Sequence, residues 1–280
     1  MGFGCNACGI IGCRIIDSPR ERLIAIITNN FVPCNGRFPT LITIITIFFT
    51  SYVITPAKSL VSTAILTLTI LLGVFTTFLI SKFLSKTILK GAPSSFTLEL
   101  PPYRKPQVGK VIVRSIFDRT IFVLARAMAV AAPAGLIIWI MSNTYINDIS
   151  IIKIFSDFLD PFAKFIGLDG VILMAFILGF PANEIVIPII IMSYMCSGSI
   201  MELESLNQLH ELLVNNGWNY VTAICMILFS LMHFPCGTTC LTIKKETGSL
   251  KWTALSFIIP TLIGIVMCSI VSNFCRLLPI

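Results

Sequence analysis

Long apolar runs constrain this chain more than any other feature. Five such runs, each with few or no charged residues, occupy positions 41–54, 60–84, 121–141, 221–241 and 252–275. A helix needs about 20 apolar residues to cross the hydrocarbon core of a bilayer, and only the run at 41–54 is clearly shorter. Charged residues make up 12% of the 280 residues, against roughly 25% in soluble domains. The sequence therefore predicts an all-α, polytopic transmembrane bundle and excludes a water-soluble fold.

Two further apolar regions are interrupted. Region 10–32 contains charged residues at positions 14, 17, 20, 21 and 22, and region 171–196 contains the sequence GFPANE at 179–184. Non-helical backbone at membrane depth is tolerated only where it is buried in protein or lines a cavity. Both regions are therefore predicted to be broken helices with a functional role.

Basic residues predict which loops face the cytoplasm. Segment 82–119 has eight Lys or Arg residues against two acidic ones and contains four prolines, and a second basic loop follows at 244–251. Both are predicted to be cytoplasmic, because positive charge accumulates in cytoplasmic loops. This rule also accounts for the net charge of +7, so no nucleic-acid partner is expected.

The number of crossings between these two basic loops predicts a re-entrant segment. Three full crossings would place the loops on opposite sides, so region 171–196 is predicted to enter and leave the bilayer on one side. The loop 197–220, with Glu202, Glu204 and Glu211 and no Lys or Arg, is then external. The same parity places four arginines of the first half on the cytoplasmic side: Arg14, Arg20, Arg22 and Arg37.

The two halves of the chain share short signatures in the same order. GFGCN at 2–6 resembles GFPAN at 179–183, and Pro33-Cys34 has a counterpart in Pro235-Cys236. Opposed half-repeats with Gly- or Pro-interrupted helices are the sequence pattern of a transporter site near the bilayer midplane. We therefore predict two inverted repeats that contain broken or re-entrant helices.

A candidate metal site lies at these breaks. Glu184 is its strongest single member, because a carboxylate in an apolar segment is costly unless it has a partner or holds a cation. The other candidates are the nearby thiol, imidazole and amide side chains: Cys5, Asn6, Cys34, Asn183, His233 and Cys236. Such a borderline-soft set suits iron(II), cobalt or zinc better than sodium, potassium or magnesium.

Each candidate also has a purely structural alternative. A cysteine in a membrane helix is often a small packing residue, His233 could cap backbone carbonyls, and Glu184 could cap the free amides of the following half-helix. No GxxxxGK[ST], GxSxG or HExxH motif occurs in the sequence, so neither nucleotide binding nor enzymatic activity is expected.

Five segments resemble motifs of the ferrous iron transport protein B (FeoB) family. They are GFGCN at 2–6, DSPRERL at 17–23, PCNGRFP at 33–39, LELPPYR at 98–104 and KKETGS at 244–249. The resemblance implies two inverted gate modules that pass iron(II), with Cys5 at the position of a pathway cysteine. It departs from the family at Ala7-Cys8-Gly9, where the family has Val-Pro-Ala.

The resemblance also implies that the family's usual chain carries an amino-terminal GTPase domain, which this sequence lacks. We therefore expect a separate GTPase-containing membrane subunit as partner, Fe²⁺ as a transported substrate, no permanently bound cofactor and a possible homo-oligomer. The expected domains are 1–85 (end of the first gate and two helices), 86–119 (cytoplasmic linker) and 120–280 (second gate and last helices). The bilayer is expected to be a bacterial inner membrane, since the ten cysteines form no disulfide framework.

Two alternatives remain open from sequence. One is a gate-family transporter of nucleosides or another small solute, which would need aromatic and hydrogen-bonding side chains at the breaks. The other is a non-transporting accessory subunit or the remnant of a split gene.

Overall fold

The computed structural model describes residues 2–50, 55–91, 107–114, 121–146, 149–195 and 205–277. Its α-helices are α1 (Asn6–Gly12), α2 (Pro19–Thr28), α3 (Phe38–Phe49), α4 (Thr55–Lys86), α5 (Val108–Arg114), α6 (Phe122–Asn143), α7 (Ile151–Phe165), α8 (Gly170–Leu178), α9 (Val186–Tyr194), α10 (Leu206–Asn215), α11 (Tyr220–Met232), α12 (Gly237–Thr247) and α13 (Leu250–Leu277). Short 3-10 turns cover Cys13–Ile15, Asn29–Phe31 and Asn183–Ile185. The predicted helical fold is confirmed, apart from a two-residue antiparallel ribbon of β1 (Tyr145–Ile146) and β2 (Ile149–Ser150).

Three segments of the described chain are long and apolar enough to cross a membrane. They are Ala57–Lys86 in α4, Tyr220–Thr247 across α11 and α12, and Leu250–Leu277 in α13. Helices α7 and α8 add a fourth if they form one span, although they are bent by 111°. The chain is thus a multi-pass membrane protein, as predicted. The run at 41–54 contributes to the 12-residue helix α3, which ends at Phe49.

Prolines explain why two helices break. Val32 and Phe234 each precede a proline, and the residue before a proline is disfavoured in the helical conformation. Val32 is extended (φ −85°, ψ 122°), and α11 ends two residues before Pro235, at His233, which is also extended (φ −70°, ψ 174°). The run at 221–241, predicted as one span, is therefore broken at 233–236, and α12 resumes at Gly237.

Helices α8 and α9 form a hairpin within the region that parity predicts to be re-entrant. Asp169 caps the first turn of α8 by accepting a hydrogen bond from the Ile172 amide (2.6 Å). The same carboxylate accepts a hydrogen bond from the hydroxyl of Tyr194, the last residue of α9. The start of α8 therefore lies beside the end of α9, and the chain reverses at 179–182, within the predicted break.

The two repeats share local geometry. Cys5, before α1, has φ −154° and ψ 127°, and its counterpart Ala182 has φ −150° and ψ 118°. A Cβ atom on Gly73 of α4 would lie 2.5 Å from the Phe31 carbonyl oxygen, and one on Gly264 of α13 would lie 3.4 Å from the Met232 carbonyl oxygen. In each repeat, a glycine of the long final helix thus abuts the carbonyl just before the Pro-Cys break.

The matching helices run in opposite directions. Arg14, just after α1, donates two hydrogen bonds to Glu246 near the end of α12 (2.7 and 2.6 Å). Tyr194, at the end of α9, accepts a hydrogen bond at 2.7 Å from Trp218, which precedes α11. Since α11 and α12 form one broken span, α1 and α9 point to opposite ends of it. This geometry supports the predicted inversion.

The basic segments gather at one end of the bundle. Besides the Arg14–Glu246 ion pair, Arg20 of α2 donates to the carbonyls of Ser85 and Leu89 at the end of α4. The hydrogen bond and the negative charge of Glu246 raise the pKa of Arg14, and the same hydrogen bond lowers the pKa of Glu246, so both groups stay charged at physiological pH. Segments 14–22, 82–90 and 244–251 therefore share one end, as the positive-inside count predicts.

One predicted member of this basic end was misplaced. Arg37, expected in a cytoplasmic loop, is only 1% exposed and lies in the interior. Several other sequence predictions fall outside the described residues: Cys196, Glu202, Glu204, the motif at 98–104 and much of the linker 86–119.

Labelling of single cysteines tests the predicted sides of the membrane. An impermeant thiol reagent added to intact cells is expected to modify a cysteine at position 216, between α10 and α11, and to leave a cysteine at position 245 unmodified. After permeabilisation both positions should react. Labelling of position 245 but not of 216 in intact cells would contradict the predicted sides of the membrane.

Candidate metal site at the helix breaks

Three breaks meet in the interior of the bundle. The amide of Gly237, at the start of α12, donates to the Phe180 carbonyl in the tip of the α8–α9 hairpin (2.8 Å). A Cβ atom on Gly36, in the break before α3, would lie 3.2 Å from Oε1 of Glu184. Segments 33–37, 180–184 and 233–236, which are distant in sequence, therefore lie next to one another.

His233 is oriented so that one ring nitrogen is free to accept. Its Nδ1 lies 2.9 Å from the Ser230 carbonyl oxygen and 3.1 Å from the Phe229 carbonyl oxygen. Carbonyls only accept hydrogen bonds, so the proton sits on Nδ1 and the lone pair is on Nε2. The capping role considered from sequence is thus real, but it uses only one of the two nitrogens.

The free Nε2 of His233 faces Oδ1 of Asn183 at 3.3 Å. Two acceptors do not attract each other, so either the Asn183 amide rotates to donate or a cation lies between them. With metal–ligand bonds of about 2.1 Å, two ligands at right angles on one ion stand about 3 Å apart. A histidine that donates its other N–H to a backbone carbonyl is also the usual arrangement at metal sites. His233 is 1% and Asn183 is 8% exposed, so the pair is shielded from bulk water.

Three thiols lie near this pair. Cys34 is 8% exposed, and the Cys236 thiol is close enough to those of Cys34 and Cys5 to interact with them electrostatically. Cys5 and Cys236 are the N-cap residues of α1 and α12, and neither side chain caps its helix. The Cys236 sulfur instead lies 3.2 Å from the Thr239 hydroxyl.

Glu184 and Asn6 occupy different surroundings. Glu184 is exposed and, within the described residues, its carboxylate has no hydrogen bond or ion pair, so the alternative of amide capping finds no support there. Asn6 is 3% exposed. Its amide nitrogen donates to Asn30 Oδ1 at 3.4 Å or, in the rotated orientation, to the carbonyls of Gly2 and Val32. Asn6 thus links the start of α1 to the segment 30–32 just before Pro33.

The structure therefore separates the predicted site into parts. Within the ranges that the structure describes, no three His, Cys, Asp or Glu side chains lie close enough together to hold a metal ion. Asn183 and His233 form a pair, the thiols form a neighbouring group, and Glu184 lies at the side of the break. A chain of sites with few ligands suits an ion that must enter and leave again.

Sequence reasoning missed Arg37 and Asn30. The Asn30 amide donates to the His233 carbonyl at 2.7 Å, and Arg37 hydrogen-bonds to the same carbonyl at 3.1 Å. A signal was present in PCNGRFP, where one arginine stands between two prolines next to an apolar helix. The positive-inside rule assigned it to a loop, because the rule counts charges without testing their burial.

Broken helices that meet inside an apolar bundle define a polytopic membrane protein of the gate type. The Gate family model, described as nucleoside recognition, matches residues 124–250. The model described as ferrous iron transport protein B C terminus matches residues 66–118. The chain belongs to the ferrous iron transport protein B family and corresponds to its C-terminal membrane region.

Curated relatives align with nearly the whole chain. The Fe(2+) transporter FeoB of Staphylococcus aureus (strain MSSA476) is 30% identical over 95% of this chain and 38% of its own length. The proteins of the same name from Methanocaldococcus jannaschii and Campylobacter jejuni are 25% and 26% identical, over 99% and 92% of this chain. The chain spans about two fifths of the length of these relatives. No solved structure matches it.

Proposed function

We propose that this chain conducts Fe²⁺ through the junction of its helix breaks, as the membrane part of a ferrous-iron uptake system. The observation that carries the proposal is that His233 Nε2 and Asn183 Oδ1 lie 3.3 Å apart in the buried junction. Nitrogen, amide oxygen and thiol ligands together suit a first-row divalent ion. The relatives' name, Fe(2+) transporter, supports the choice of iron.

The proposal includes the expected partners and place of action. A separate GTPase-containing membrane subunit supplies the energy coupling, the bilayer is a bacterial plasma membrane, and Fe²⁺ passes through without a resident cofactor. The working units are 1–85 and 120–280, joined by the cytoplasmic linker 86–119. Cys5, Asn6 and Cys34 belong to the first unit, and Asn183, Glu184, His233 and Cys236 belong to the second.

A nucleoside is a less suitable substrate for this junction. Three aromatic rings, those of Phe180, Phe234 and Phe257, lie beside the breaks, but they pack on one another. The rings of Phe234 and Phe257 stack at 4.8 Å with an angle of 9° between their planes, and Phe180 lies 6.1 Å from each. The stacking covers one face of the Phe234 ring and one face of the Phe257 ring, which a base would otherwise use.

Replacement of Glu184 by Gln tests the proposal. A carboxylate beside the route raises the local concentration of cations, so Glu184→Gln is expected to lower Fe²⁺ uptake severalfold while leaving insertion into the membrane intact. Uptake of radioactive Fe²⁺ is measured in cells that express this chain with the GTPase-containing partner. Glu211→Gln, which removes an exposed carboxylate from α10, is the matched control and should have no effect.

Two results would contradict the proposal in different ways. Normal uptake by Glu184→Gln would show that this carboxylate has no role in Fe²⁺ transport. If cells with the wild-type chain and the partner take up no more Fe²⁺ than cells with the partner alone, the chain does not conduct iron.

A further inference from the structure

Arg37 places a positive charge inside the bundle without a matching carboxylate. Its side chain is among the largest that are fully buried, and the residue immediately precedes α3. A buried charge without compensation is costly in a membrane protein. Among the described residues, the ion pairs are Arg14–Glu246, Lys153–Asp157 and Lys164–Asp160, and none includes Arg37.

Oxygen atoms take the place of the missing carboxylate. The Nη1 atom of Arg37 donates to the carbonyls of Asn30 (2.9 Å) and Leu231 (2.7 Å). Its Nη2 atom lies 3.2 Å from Asn30 Oδ1, 3.1 Å from the His233 carbonyl oxygen and 3.3 Å from that of Phe234. We call these five atoms the oxygen cage.

The oxygen cage is made from the ends of broken helices. The last carbonyls of a helix have no partner within it and form the negative end of its dipole. In the cage these groups come from the turn that follows α2 and from the end of α11. Unwound carbonyls and half-helix C-termini of this kind coordinate Na⁺ in transporters, and rings of carbonyls replace the hydration shell of K⁺ in channels.

We propose that Arg37 is a tethered cation that fills the oxygen cage and so keeps hard inorganic cations out of the helix junction. The guanidinium occupies the position that Na⁺ or K⁺ would otherwise take. The groups left open at the junction are then His233 Nε2 and the thiols, which favour a softer ion. Arg37 thus determines which ions enter the iron route. This role rests on the proposed function, but the occupancy of the oxygen cage by Arg37 is independent of it.

The sequence repeat shows that one arginine serves both breaks. When Pro33-Cys34 is aligned with Pro235-Cys236, the position of Arg37 corresponds to Thr239. The Thr239 hydroxyl forms a hydrogen bond with the Cys236 thiol at 3.2 Å. The second break therefore has no tethered cation of its own, and the arginine of the first repeat reaches into it.

The test compares thermal unfolding of the purified chain in sodium, potassium and choline chloride at equal ionic strength. The unfolding temperature of the wild-type protein is expected to be the same in all three salts, because a tethered cation already occupies the cage. The same independence of the salt is expected for Arg37→Lys. Arg37→Met empties the cage, and its midpoint in sodium or potassium should exceed that in choline by about 2–4 °C. Arg22→Met is the matched control, since Arg22 donates from two nitrogens to a single oxygen, the Ile16 carbonyl, and no salt-specific shift is expected.

Arg37→Gln provides a second test if the Met variant does not fold. It removes the charge but keeps an amide donor, and it should show the same preference for sodium or potassium over choline. The proposal is overturned if neither neutral variant distinguishes the salts, or if the wild-type protein itself is stabilised by sodium or potassium over choline. These experiments contain no iron, so their failure is distinguishable from failure of the proposed iron transport.

Discussion

Asparagine in place of His233 is expected to lower the affinity of the purified chain for Fe²⁺ by on the order of 100-fold. Mutation of a residue that merely hydrogen-bonds to a metal ligand can already lower metal affinity by up to about 100-fold. The Asn side-chain nitrogen can take the place of Nδ1 and keep the hydrogen bonds to the Phe229 and Ser230 carbonyls, which His233 makes at 3.1 and 2.9 Å. It provides no group at the position of Nε2. The variant therefore removes the proposed ligand and keeps the cap. Equilibrium binding of radioactive Fe²⁺ under anaerobic conditions measures the effect.

Two further variants show whether a loss of affinity in His233→Asn is due to the missing ligand. His233→Gln can place an amide oxygen near the position of Nε2, and it should retain more affinity than His233→Asn. His210→Asn is the matched control. His210 falls within the loop 197–220 that the sequence predicts to be external, and it lies on α10, half-buried, with its ring 5.7 Å from that of Phe48. Unchanged affinity in His233→Asn would mean that the Asn183 amide simply donates a hydrogen bond to Nε2.

Serine in place of both Cys5 and Cys236 is expected to reduce the selectivity of uptake for Fe²⁺ over Mn²⁺ by on the order of tenfold, because a hydroxyl is a much poorer ligand than a thiolate for the softer ion. Both cysteines are N-cap residues, and serine is among the best N-cap residues. The double variant should therefore fold at least as well as the wild type, so a change in selectivity reports on ligation rather than on stability.

A matched cysteine serves as control for this experiment. Cys240 lies four residues after Cys236, within α12, and its thiol donates to the Pro235 carbonyl at 3.6 Å. Cys240→Ser should leave selectivity unchanged in uptake assays with competing Fe²⁺ and Mn²⁺. Equal selectivity in the wild type and the double variant would exclude the thiols of Cys5 and Cys236 from the route.

The sequence was sufficient to predict much of the fold, because its strongest signals are local. Apolar runs predict helices, and the GFPAN sequence marks one break, whereas the break before Pro235 fell within a run that was predicted as one span. Parity of the basic loops predicted the α8–α9 hairpin. The sequence predicted no membrane span at α7, because charged residues interrupt the apolar pattern there. In the structure these charges pair along one face of the helix, as in Lys153–Asp157 at 2.7 Å.

The site was less predictable because its geometry depends on contacts between distant residues. Arg37 and the Leu231 carbonyl are 194 positions apart in the chain, and no local pattern reveals that the carbonyl compensates the charge. The tautomer of His233 likewise depends on the carbonyls that surround Nδ1. Residue types at the breaks could be predicted from sequence, but which of them face each other required the structure.

X-ray absorption at the iron edge tests the central claim most directly. The chain is loaded with Fe²⁺ without oxygen, and its spectrum is compared with those of His233→Asn and of hydrated Fe²⁺. The account predicts that the wild-type spectrum contains the scattering pattern of an imidazole ring bound to iron, and that this pattern is lost in His233→Asn. A wild-type spectrum that matches hydrated Fe²⁺, or one that His233→Asn leaves unchanged, would contradict a metal site at the helix breaks.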